Sequence, residues 1–409
     1  MKKLKAGILG LGIRGYMYLE NVILDMKELE VVAISDLIEE RNERALSLCE
    51  KYGIKPNTYN SSIELMDNED LDCVFIFTPW ISHIDLSIYA MKKGIPVAME
   101  VGGSYDIHEI WKLVDTYEET KTPYMFLENC LYGRLELMTL NMVRKGVLGE
   151  IVYCQGGYRH DLRDEVSEGY YNNHYRLDNY RKRNGENYPS HELLPLAKIL
   201  NINKGNRFIS LSSQASKACG LKEYINNNDS IKVDDARGLN FNQGDIVKTT
   251  IKCSNGELVS ITLDTTLPRY YTREFMVQGT KGLVNEENRS VFLEKDTDIS
   301  DHFQWEKHFN NLDRYYEEYE HPIWKKYLKE NIKKGHGGID YLVVKAFVDA
   351  LINNEPMPID VYDAASILAV TSLSEESIAL SGLPVYFPDF TRGKWMYDEK
   401  SFLDRNKLL

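Results

Sequence analysis

A short apolar run near the start of the chain leads directly into three spaced glycines, and this combination restricts the possible folds more than any other part of the sequence. Residues 5–9 form a short, mostly apolar run, and Gly10-x-Gly12-x-x-Gly15 follows at once and opens a predicted helix from about Tyr16. In such a pattern the first glycine permits the turn, the second lets a pyrophosphate approach the backbone, and the third lets the helix pack on the strand. The pyrophosphate would lie at the positive end of the helix dipole. The pattern therefore predicts a dinucleotide-binding turn.

An acid at the end of the next strand supports this interpretation. A second apolar run, residues 29–35, ends in Asp36, about twenty residues after the glycines, as the dinucleotide-binding pattern requires. A carboxylate at this place accepts hydrogen bonds from the ribose hydroxyls and repels a 2′-phosphate. No arginine follows immediately to offset that repulsion, so we expect NAD rather than NADP as the cofactor.

The pattern of strands and helices continues and predicts a parallel, doubly wound sheet. Further strands are predicted at 73–78 and 97–100, and amphipathic helices at 39–52, 83–93 and 108–119. Ligands of such sheets bind beyond the carboxyl ends of the strands. This places a set of residues around the nicotinamide half of the cofactor: Thr78, Pro79, Trp80, His83, Glu100 and Val101.

The length of the chain predicts a second domain. At 409 residues the chain is too long for one ordinary core, and the pattern changes near Asn129. We expect a Rossmann domain over 1–127 and an α+β domain over 128–409 that carries a large, mostly antiparallel open sheet. Its predicted helices are 135–145, 338–353 and 361–380, its strands 151–158, 208–213, 246–253, 257–263, 275–279 and 290–293, and its turn pairs Asn255-Gly256 and Lys281-Gly282.

A polar, tyrosine-rich stretch follows the first strand of this second domain. Residues 158–191 are poor in aliphatic side chains and rich in Tyr, Asn, Arg and Asp. Tyrosine offers an apolar ring face to sugar C–H groups and a hydroxyl at its rim, so the stretch suits a polyhydroxylated ligand. An exposed loop or a subunit contact is about as good an interpretation of any single tyrosine.

Composition limits the partners and the compartment. A net charge of −13 argues against nucleic acid or an anionic membrane as a partner, and no apolar run reaches membrane-spanning length. The start, MKKLKAGILGLG, superficially resembles a signal peptide but fits the first strand better, which predicts a cytoplasmic protein. The six cysteines show no C-x-x-C spacing, so we expect reduced, buried thiols and no metal site.

Several motifs together resemble those of the glucose–fructose oxidoreductase/inositol dehydrogenase/MocA (Gfo/Idh/MocA) family over nearly the whole chain. They are GLGIRG, Asp36, TPWISH, the turn after Glu100 and a later QGTKG hairpin. Ordinary dehydrogenases of that family carry Glu-Lys-Pro at the turn, and the lysine helps to polarise the sugar hydroxyl. Here Val101-Gly102 follows Glu100, which argues against ordinary dehydrogenase chemistry.

Longer motifs resemble a narrower group, glycoside hydrolase family 109. They are RNGENYPSHELLPLAKILNINKGNRF, YEHPIWKK, GHGGIDYLV, DVYDAAS and PDFTRGKW. The resemblance implies an α-N-acetylgalactosaminidase with tightly bound, recycled NAD, and a homo-oligomer that pairs through the open sheet. One departure concerns the YPTH motif, after which the family usually shows Gly-Leu-Gly. This chain has Glu192-Leu193-Leu194, so the sequence leaves the sugar and the anomer open.

The resemblance carries site residues over position by position. With the glycines Gly10 and Gly12, it implies NAD contacts at Arg14, Gly15, Asp36, Trp80, His83, Glu100, Val101 and Asn129, and sugar contacts at Tyr158, Arg176, Tyr188 and Tyr271. Residues from Tyr188 to His191 would border both ligands. For His83, we expect a hydrogen bond to the cofactor or within its own loop rather than catalysis.

The chemistry that the resemblance implies needs no pair of carboxylates, unlike direct glycoside hydrolysis. Oxidation at C3 of the sugar acidifies the C2 hydrogen, elimination expels the group at C1, water adds, and reduction restores C3. We expect His191 to move a proton at the C3 hydroxyl, and Tyr188 or Tyr271 to act at C2. A helix that starts at an N-cap Ser190 would favour neutral His191; if Pro195 delays the helix to about Leu194, His191 lies on the preceding turn.

Three functions remain open at this point: an NAD-dependent glycosidase, a sugar or inositol dehydrogenase, and a catalytically silent protein that binds NAD and sugar. The first predicts release of the aglycone without lasting NADH. The second predicts NADH in proportion to oxidised product, and the third predicts neither signal.

Overall fold

The computed structural model describes residues 3–169, 171, 174–296, 303–330 and 335–396. The chain divides into two compact units: the residues up to Tyr132 together with Pro322–Ala365, and Gly133–His321 together with the described residues from Ser366 to Met396. Segment 322–365, which the sequence analysis placed in the second domain, thus groups with the first unit. Within that unit its backbone bonds the end of the sheet, since the Phe126 amide donates to the Ile359 carbonyl at 3.1 Å.

The first unit is built on a six-stranded, all-parallel sheet in the order β3-β2-β1-β4-β5-β6. The strands β1 to β6 are Leu4–Leu9, Leu29–Ser35, Asn57–Tyr59, Cys73–Ile76, Val97–Met99 and Tyr124–Phe126. The helices α1 to α5 are Ile13–Asn21, Glu39–Lys51, Ser62–Asn68, His83–Lys92 and Ile107–Thr120. Near-continuous apolar runs form the central strands because helices cover both faces of a parallel sheet, and all of β4 is buried. The predicted doubly wound sheet is confirmed.

The second unit is built on an eight-stranded sheet in the order β13-β12-β11-β7-β10-β9-β8-β14. Its strands β7 to β14 are Ile151–Arg159, Phe208–Ala215, Ile246–Cys253, Leu258–Asp264, Met276–Gly279, Gly282–Asn285, Ser290–Leu293 and Val385–Tyr386. Only the β7–β10 pair runs parallel; the other six neighbouring pairs of this sheet run antiparallel. The mostly antiparallel open sheet is therefore confirmed.

The remaining helices complete the two units. Helices α6 to α14 are Arg134–Arg144, Arg163–Ser167, Arg176–Lys182, Ser190–Ile199, Gly220–Asn226, Leu312–Tyr319, Pro322–Glu330, Ile339–Asn353 and Val361–Ala379. The two long closing helices predicted from their apolar spacing are α13 and α14, and α13 buries eight side chains. The short helices α7 and α8 lie inside the polar stretch 158–191, whose missing aliphatic periodicity concealed them. Tyr170, Asn172 and Asn173 of that stretch lie outside the described residues.

Local differences from the predictions have identifiable causes. Helix α1 begins at Ile13, three residues earlier than predicted, because Gly12 already occupies its N-cap position. The predicted Lys281-Gly282 turn is wrong by one residue: β11 and β12 pair Gly279 with Gly282, so Thr280 and Lys281 form the two-residue turn. The Asn255-Gly256 turn between β9 and β10 agrees with the prediction, and Gly256 has the positive φ of +107° that such turns require.

Two global expectations concern thiols and membranes. All six cysteines are free, five of them buried, and Cys219 is exposed. Burial raises the pKa of Cys49 to about 11, so this thiol is inert at neutral pH. Among the described residues, no helix combines the length and the apolar character needed to span a bilayer.

Candidate functional site

The turn between β1 and α1 meets the steric requirements of its three glycines. Gly10 has φ +88°, and a side-chain carbon there would lie 2.6 Å from the Thr78 amide nitrogen. A side-chain carbon on Gly15 would run into the Gly10 carbonyl oxygen. At Gly12, by contrast, the nearest group is the tip of the Arg41 side chain at 3.7 Å. This free space at the N-terminus of α1 fits a pyrophosphate, which the helix dipole and the helical amides would bind.

Asp36, at the end of β2, is tied to the same turn. Its Oδ2 accepts the Leu11 amide at 2.7 Å and its Oδ1 accepts the Ile38 amide at 3.0 Å. The Arg41 guanidinium lies 3.7 Å from Oδ2, a cation that the sequence analysis did not expect beside this acid. The carboxylate is therefore held against the glycine turn, where the dinucleotide-binding pattern requires it.

The turn after β5 closes against the residues that follow β4. His83 is buried, and its ring nitrogens lie 3.0 Å from the Gly102 carbonyl oxygen and 2.6 Å from the Thr78 carbonyl oxygen. A side-chain carbon on Gly102, which has φ +81°, would collide with the indole of Trp80. Burial lowers the pKa of His83, against the opposing effect of its two backbone bonds. His83 thus links two loops, the structural role expected from the sequence; its contact with the cofactor stays a prediction.

This packing gives a physical account of the missing lysine. Val101 is only 2% exposed, so a lysine here would bury an ammonium group at a large cost. Proline cannot follow it, because φ at position 102 is positive and proline is restricted to about −65°. The Glu-Lys-Pro turn of ordinary dehydrogenases is therefore incompatible with the backbone of this chain.

Two of the predicted cofactor residues bond an acid that the sequence analysis missed, Asp340. Arg14 donates to both carboxylate oxygens of Asp340, at 3.0 and 3.3 Å, and to Glu100 at 3.4 Å. Asn129 donates its amide to Asp340 Oδ1 at 2.6 Å, and His336 Nδ1 lies 2.5 Å from Oδ2. Asp340 is 3% exposed. The signal that could have revealed it is an acid in the first turn of an otherwise apolar helix, inside the motif GHGGIDYLV.

The electrostatics of this cluster keep Asp340 ionised. Burial alone would raise the pKa of Asp340, but the bond from His336 and the positive charge of Arg14 hold it far below its usual range. The Asn129 Oδ1 is buried and has no hydrogen-bond partner among the described residues. A buried acceptor without a donor is costly, so this oxygen fits a ligand that brings an N–H or O–H group. The cluster therefore fits a cofactor with carboxamide and ribose donors.

In the second unit, the predicted sugar residues form one aromatic cluster at the end of β7. The rings of Tyr158 and Tyr188 lie 4.2 Å apart between centroids. Tyr271 meets Tyr158 edge to face at 6.5 Å. The His191 ring is perpendicular to that of Tyr188, with its Nε2 3.3 Å from the Tyr188 hydroxyl oxygen. His160 also belongs to this cluster, since its Nδ1 lies 3.3 Å from the Tyr158 hydroxyl oxygen. The cluster combines flat apolar ring faces with groups that exchange protons.

Arg176 brings a buried positive charge to this cluster. Its guanidinium carbon lies 4.9 Å above the Tyr188 ring, and its Nε lies 2.8 Å from Glu165. His174 Nε2 lies 3.3 Å from the same carboxylate. Burial works against the charge on Arg176, yet Tyr175 and Glu165 raise its pKa well above the usual value. A fixed guanidinium of this kind can donate hydrogen bonds to the hydroxyl or acetamido oxygens of a sugar.

Helix α9 determines the position of His191. The helix begins at Ser190, with Pro189 at the N-cap, so the expectation that Ser190 caps the helix is wrong. His191 is therefore the second helical residue, and the alternative of a helix that starts near Leu194 is excluded. Pro195 lies inside the helix; having no amide hydrogen, it cannot bond the His191 carbonyl. One backbone hydrogen bond of the helix is therefore missing at the candidate catalytic residue.

The departure at Glu192 lies on the inward face of α9. Glu192 is 1% exposed, and a side-chain carbon on Gly156 of β7 would lie 2.8 Å from its Cβ. Gly156 therefore permits the helix to pack closely on the strand that carries Tyr158. A buried acid here changes the polarity beneath the aromatic cluster, and its effect on sugar preference stays a prediction.

The fold and the two sets of residues define a class of protein. Residues 4–127 match the family model described as an oxidoreductase family with an NAD-binding Rossmann fold, Gfo/Idh/MocA. Solved structures show the same fold across both units. An NAD-binding oxidoreductase from Klebsiella pneumoniae has a TM-score of 0.73 at 15% identity, with 95% of this chain and 99% of that chain covered. A scyllo-inositol dehydrogenase from Lactobacillus casei, solved with NAD(H) and scyllo-inositol, has a TM-score of 0.65 at 14% identity, with 94% and 99% covered.

The narrower relationship is equally clear. Residues 132–397 match the model of the glycosyl hydrolase 109 C-terminal domain. A glycosyl hydrolase family 109 protein from Stenotrophomonas maltophilia is 38% identical, with 96% of this chain and 90% of that protein covered. An α-N-acetylgalactosaminidase from Tannerella forsythia is 36% identical, with 98% and 88% covered. The chain belongs to glycosyl hydrolase family 109. It is a glycoside hydrolase, and its cofactor is NAD.

Proposed function

We propose that the protein cleaves terminal α-N-acetylgalactosaminides with the help of bound NAD that is restored in each cycle. Relatives from Tannerella forsythia and Shewanella oneidensis that span nearly the whole chain carry the name α-N-acetylgalactosaminidase. The observation that carries the proposal is the pairing of the Tyr188 hydroxyl with His191 Nε2 inside the aromatic cluster. This pair offers proton transfer at a sugar-sized apolar surface.

Direct hydrolysis by two carboxylates receives no support from the three acids that follow β7 in the polar stretch. Such a mechanism needs one free acid and one free carboxylate on opposite sides of the glycosidic bond. Asp161 accepts two bonds from Arg163, at 2.8 and 2.6 Å. Asp164 accepts the Tyr224 hydroxyl, and Glu165 pairs with Arg176. All three are held in structural contacts, which favours a route through oxidation at C3.

The aromatic cluster supplies binding and orientation. In the proposal, the faces of Tyr158 and Tyr188 take the C–H face of the sugar, and Arg176 donates to its oxygens. Tyr271 is 49% exposed, and in the proposal it approaches the sugar ring from the solvent side. Rigid, buried rings lose little entropy when a ligand binds.

His191 is assigned proton transfer at the C3 hydroxyl, and Tyr188 or Tyr271 at C2. Bound NAD would supply the hydride acceptor for C3 and return the hydride at the end of the cycle. A ketone at C3 acidifies the C2 hydrogen, so a modest base removes it and the C1 substituent leaves; water then adds at C1. Arg14, Glu100 and Asn129, with Asp36 at the ribose, would hold the cofactor.

The proposal also covers the location of the protein in the cell and its pairing with a second copy. Five buried, free cysteines favour a reducing, cytoplasmic location. One row of paired residues crosses the sheet face opposite α9: Tyr386, Ser210, Lys252, Leu258 and Tyr153. In this row Leu258 is 39% exposed and Tyr386 is 65% exposed. We propose that this face pairs with a second copy of the chain. Sedimentation of the wild type and of Tyr386→Lys tests the pairing; an unchanged monomer in both would contradict it.

One assay tests the central proposal. Purified protein receives p-nitrophenyl α-N-acetylgalactosaminide without added NAD, while nitrophenol and NADH absorbance are followed together. Nitrophenol release without lasting NADH supports a glycosidase that recycles its cofactor. Lasting NADH formed from free sugar indicates a dehydrogenase, and the absence of both signals indicates a silent binding protein. The β-anomer and the α-galactoside, as parallel substrates, show whether the anomer and the acetamido group are recognised.

Isotope exchange tests the elimination step separately. In deuterated water the released sugar should carry deuterium at C2, because the C2 hydrogen leaves and a solvent hydron replaces it. Product without deuterium at C2 would rule out elimination for this chain, whatever the rate of cleavage.

A further inference from the structure

Asp340 bonds two of the predicted cofactor residues, Arg14 and Asn129. It lies 326 residues from Arg14 and 211 from Asn129, outside the segment 4–127 that matches the NAD-binding family model. Within the first unit it nevertheless bonds both side chains, and Arg14 in turn bonds Glu100. The carboxylate therefore joins side chains from three separate segments.

The position of Asp340 is itself fixed by the backbone. It is the second residue of α13, which starts after Gly338, and Gly338 has φ +108°. A side-chain carbon on Gly338 would collide with the Tyr327 ring, so only glycine lets the helix start this close to α12. A carboxylate in the first turn of a helix is also favoured by the helix dipole. Asp340 is thus a rigid anchor rather than a mobile surface acid.

The negative charge of Asp340 determines which atoms of Arg14 and Asn129 face it. An ionised carboxylate only accepts hydrogen bonds, so the Asn129 amide must turn its NH2 group toward it. This leaves the Asn129 oxygen as a buried acceptor without a partner among the described residues. The two bonds to Arg14 likewise fix the plane of a guanidinium that is next to the N-terminus of α1. Both effects prepare polar groups for a ligand.

We propose that Asp340 is a positioning residue of the NAD site: it fixes the Arg14 guanidinium and orients the Asn129 amide so that its oxygen is offered to the cofactor. The inference rests on the NAD-binding roles proposed for Arg14 and Asn129. Asp340 itself need not touch the cofactor. Its loss should therefore weaken the retention of NAD without removing any group that contacts it.

The test is the rate at which the purified holoenzyme exchanges its NAD for an excess of labelled NAD. Asp340→Asn keeps the size of the side chain but removes its charge, and we expect exchange about ten- to one-hundred-fold faster. Asp349→Asn is the matched control, because Asp349 is on the same helix and pairs with Lys345; its exchange should stay within about twofold of the wild type. Exchange by Asp340→Asn within twofold of the wild type would overturn the proposal.

A second comparison separates positioning from general loosening of the fold. In the background Arg14→Met/Asn129→Ala, adding Asp340→Asn should change exchange less than threefold, because the groups that Asp340 positions are already gone. This background leaves no unpaired arginine, so it remains informative if the single variant is unstable. A further tenfold acceleration there would show that Asp340 acts in another way and would overturn the proposal. NAD exchange is measured without sugar and without turnover. Failure of the wild type to cleave the galactosaminide would therefore contradict the proposed function but not the role proposed for Asp340.

Discussion

Glu186 provides the most quantitative test of the second unit. It is fully buried, two residues before Tyr188, and its Oε1 accepts the Tyr188 amide at 3.3 Å. Its Oε2 has no hydrogen-bond partner within the described part of the chain. Burial raises the pKa of Glu186 to about 8, although the Tyr188 bond opposes the shift. We therefore expect Glu186 to be an uncharged carboxylic acid in the folded protein at neutral pH.

The raised pKa makes the free energy of unfolding depend on pH. The unfolded chain loses this proton near the ordinary glutamate pKa, about 4.3, whereas the folded protein keeps it to about 8. Between these values the folded state binds one more proton, so the free energy of unfolding falls by about 1.4 kcal/mol for each pH unit gained. Below pH 4 both states hold the proton, and above about 8 both have lost it. The accumulated loss is roughly 5 kcal/mol.

Glu186→Gln removes this dependence and keeps the rest of the site. The amide oxygen of glutamine still accepts the Tyr188 amide, and glutamine does not titrate. Relative to the wild type, the variant should gain about 3 kcal/mol between pH 5.5 and pH 7.5. The two proteins should have nearly equal stability near pH 4.5.

Urea unfolding of the NAD-saturated protein, followed by fluorescence at four pH values, measures the difference. Glu223→Gln, on the exposed face of α10 in the same unit, is the control, and its difference from the wild type should not change with pH. A Glu186→Gln difference that is equally flat between pH 5.5 and 7.5 would show that Glu186 is ionised in the folded protein, and the reasoning about its burial would be wrong.

The remaining predictions concern the two candidate half-sites. His191→Ala should lower kcat by about 10²–10⁴-fold, while the amount of NAD released when the protein is denatured stays unchanged. The control is His108→Ala, because His108 is also the second residue of a helix but is exposed; its kcat should be unaltered. Equal losses of kcat in both variants would refute the role assigned to His191. Tyr188→Phe loses the hydroxyl that meets His191, and kcat/KM should fall about 10–100-fold with no change in the melting temperature. Gly102→Ala places a methyl group against Trp80 at a positive φ, so the free energy of unfolding in urea should fall by about 1–3 kcal/mol. A fall of less than about 0.5 kcal/mol would contradict the packing described for the turn.

Much of the first unit could be predicted from the sequence because its signals are local. The bounds of β2 match the predicted strand to the residue, and Gly10, Gly12 and Gly15 meet steric conditions set by atoms only a few positions or one strand away. Alternation of apolar strands and amphipathic helices then leaves few topologies. The long motifs between residues 183 and 395 predicted the family in the same way, without predicting how the side chains are arranged.

What the sequence determined by itself is the alternation of elements, the glycine turn and the families to which its motifs are similar. Only the tertiary structure decided that Asp340 joins Arg14 and Asn129, that Trp80 excludes a side chain at Gly102, and that segment 322–365 belongs with the first unit. The physical reason is that periodicity reports which face of a helix is buried but not against what. A contact over 326 residues is determined by packing of the whole unit, which no local pattern contains.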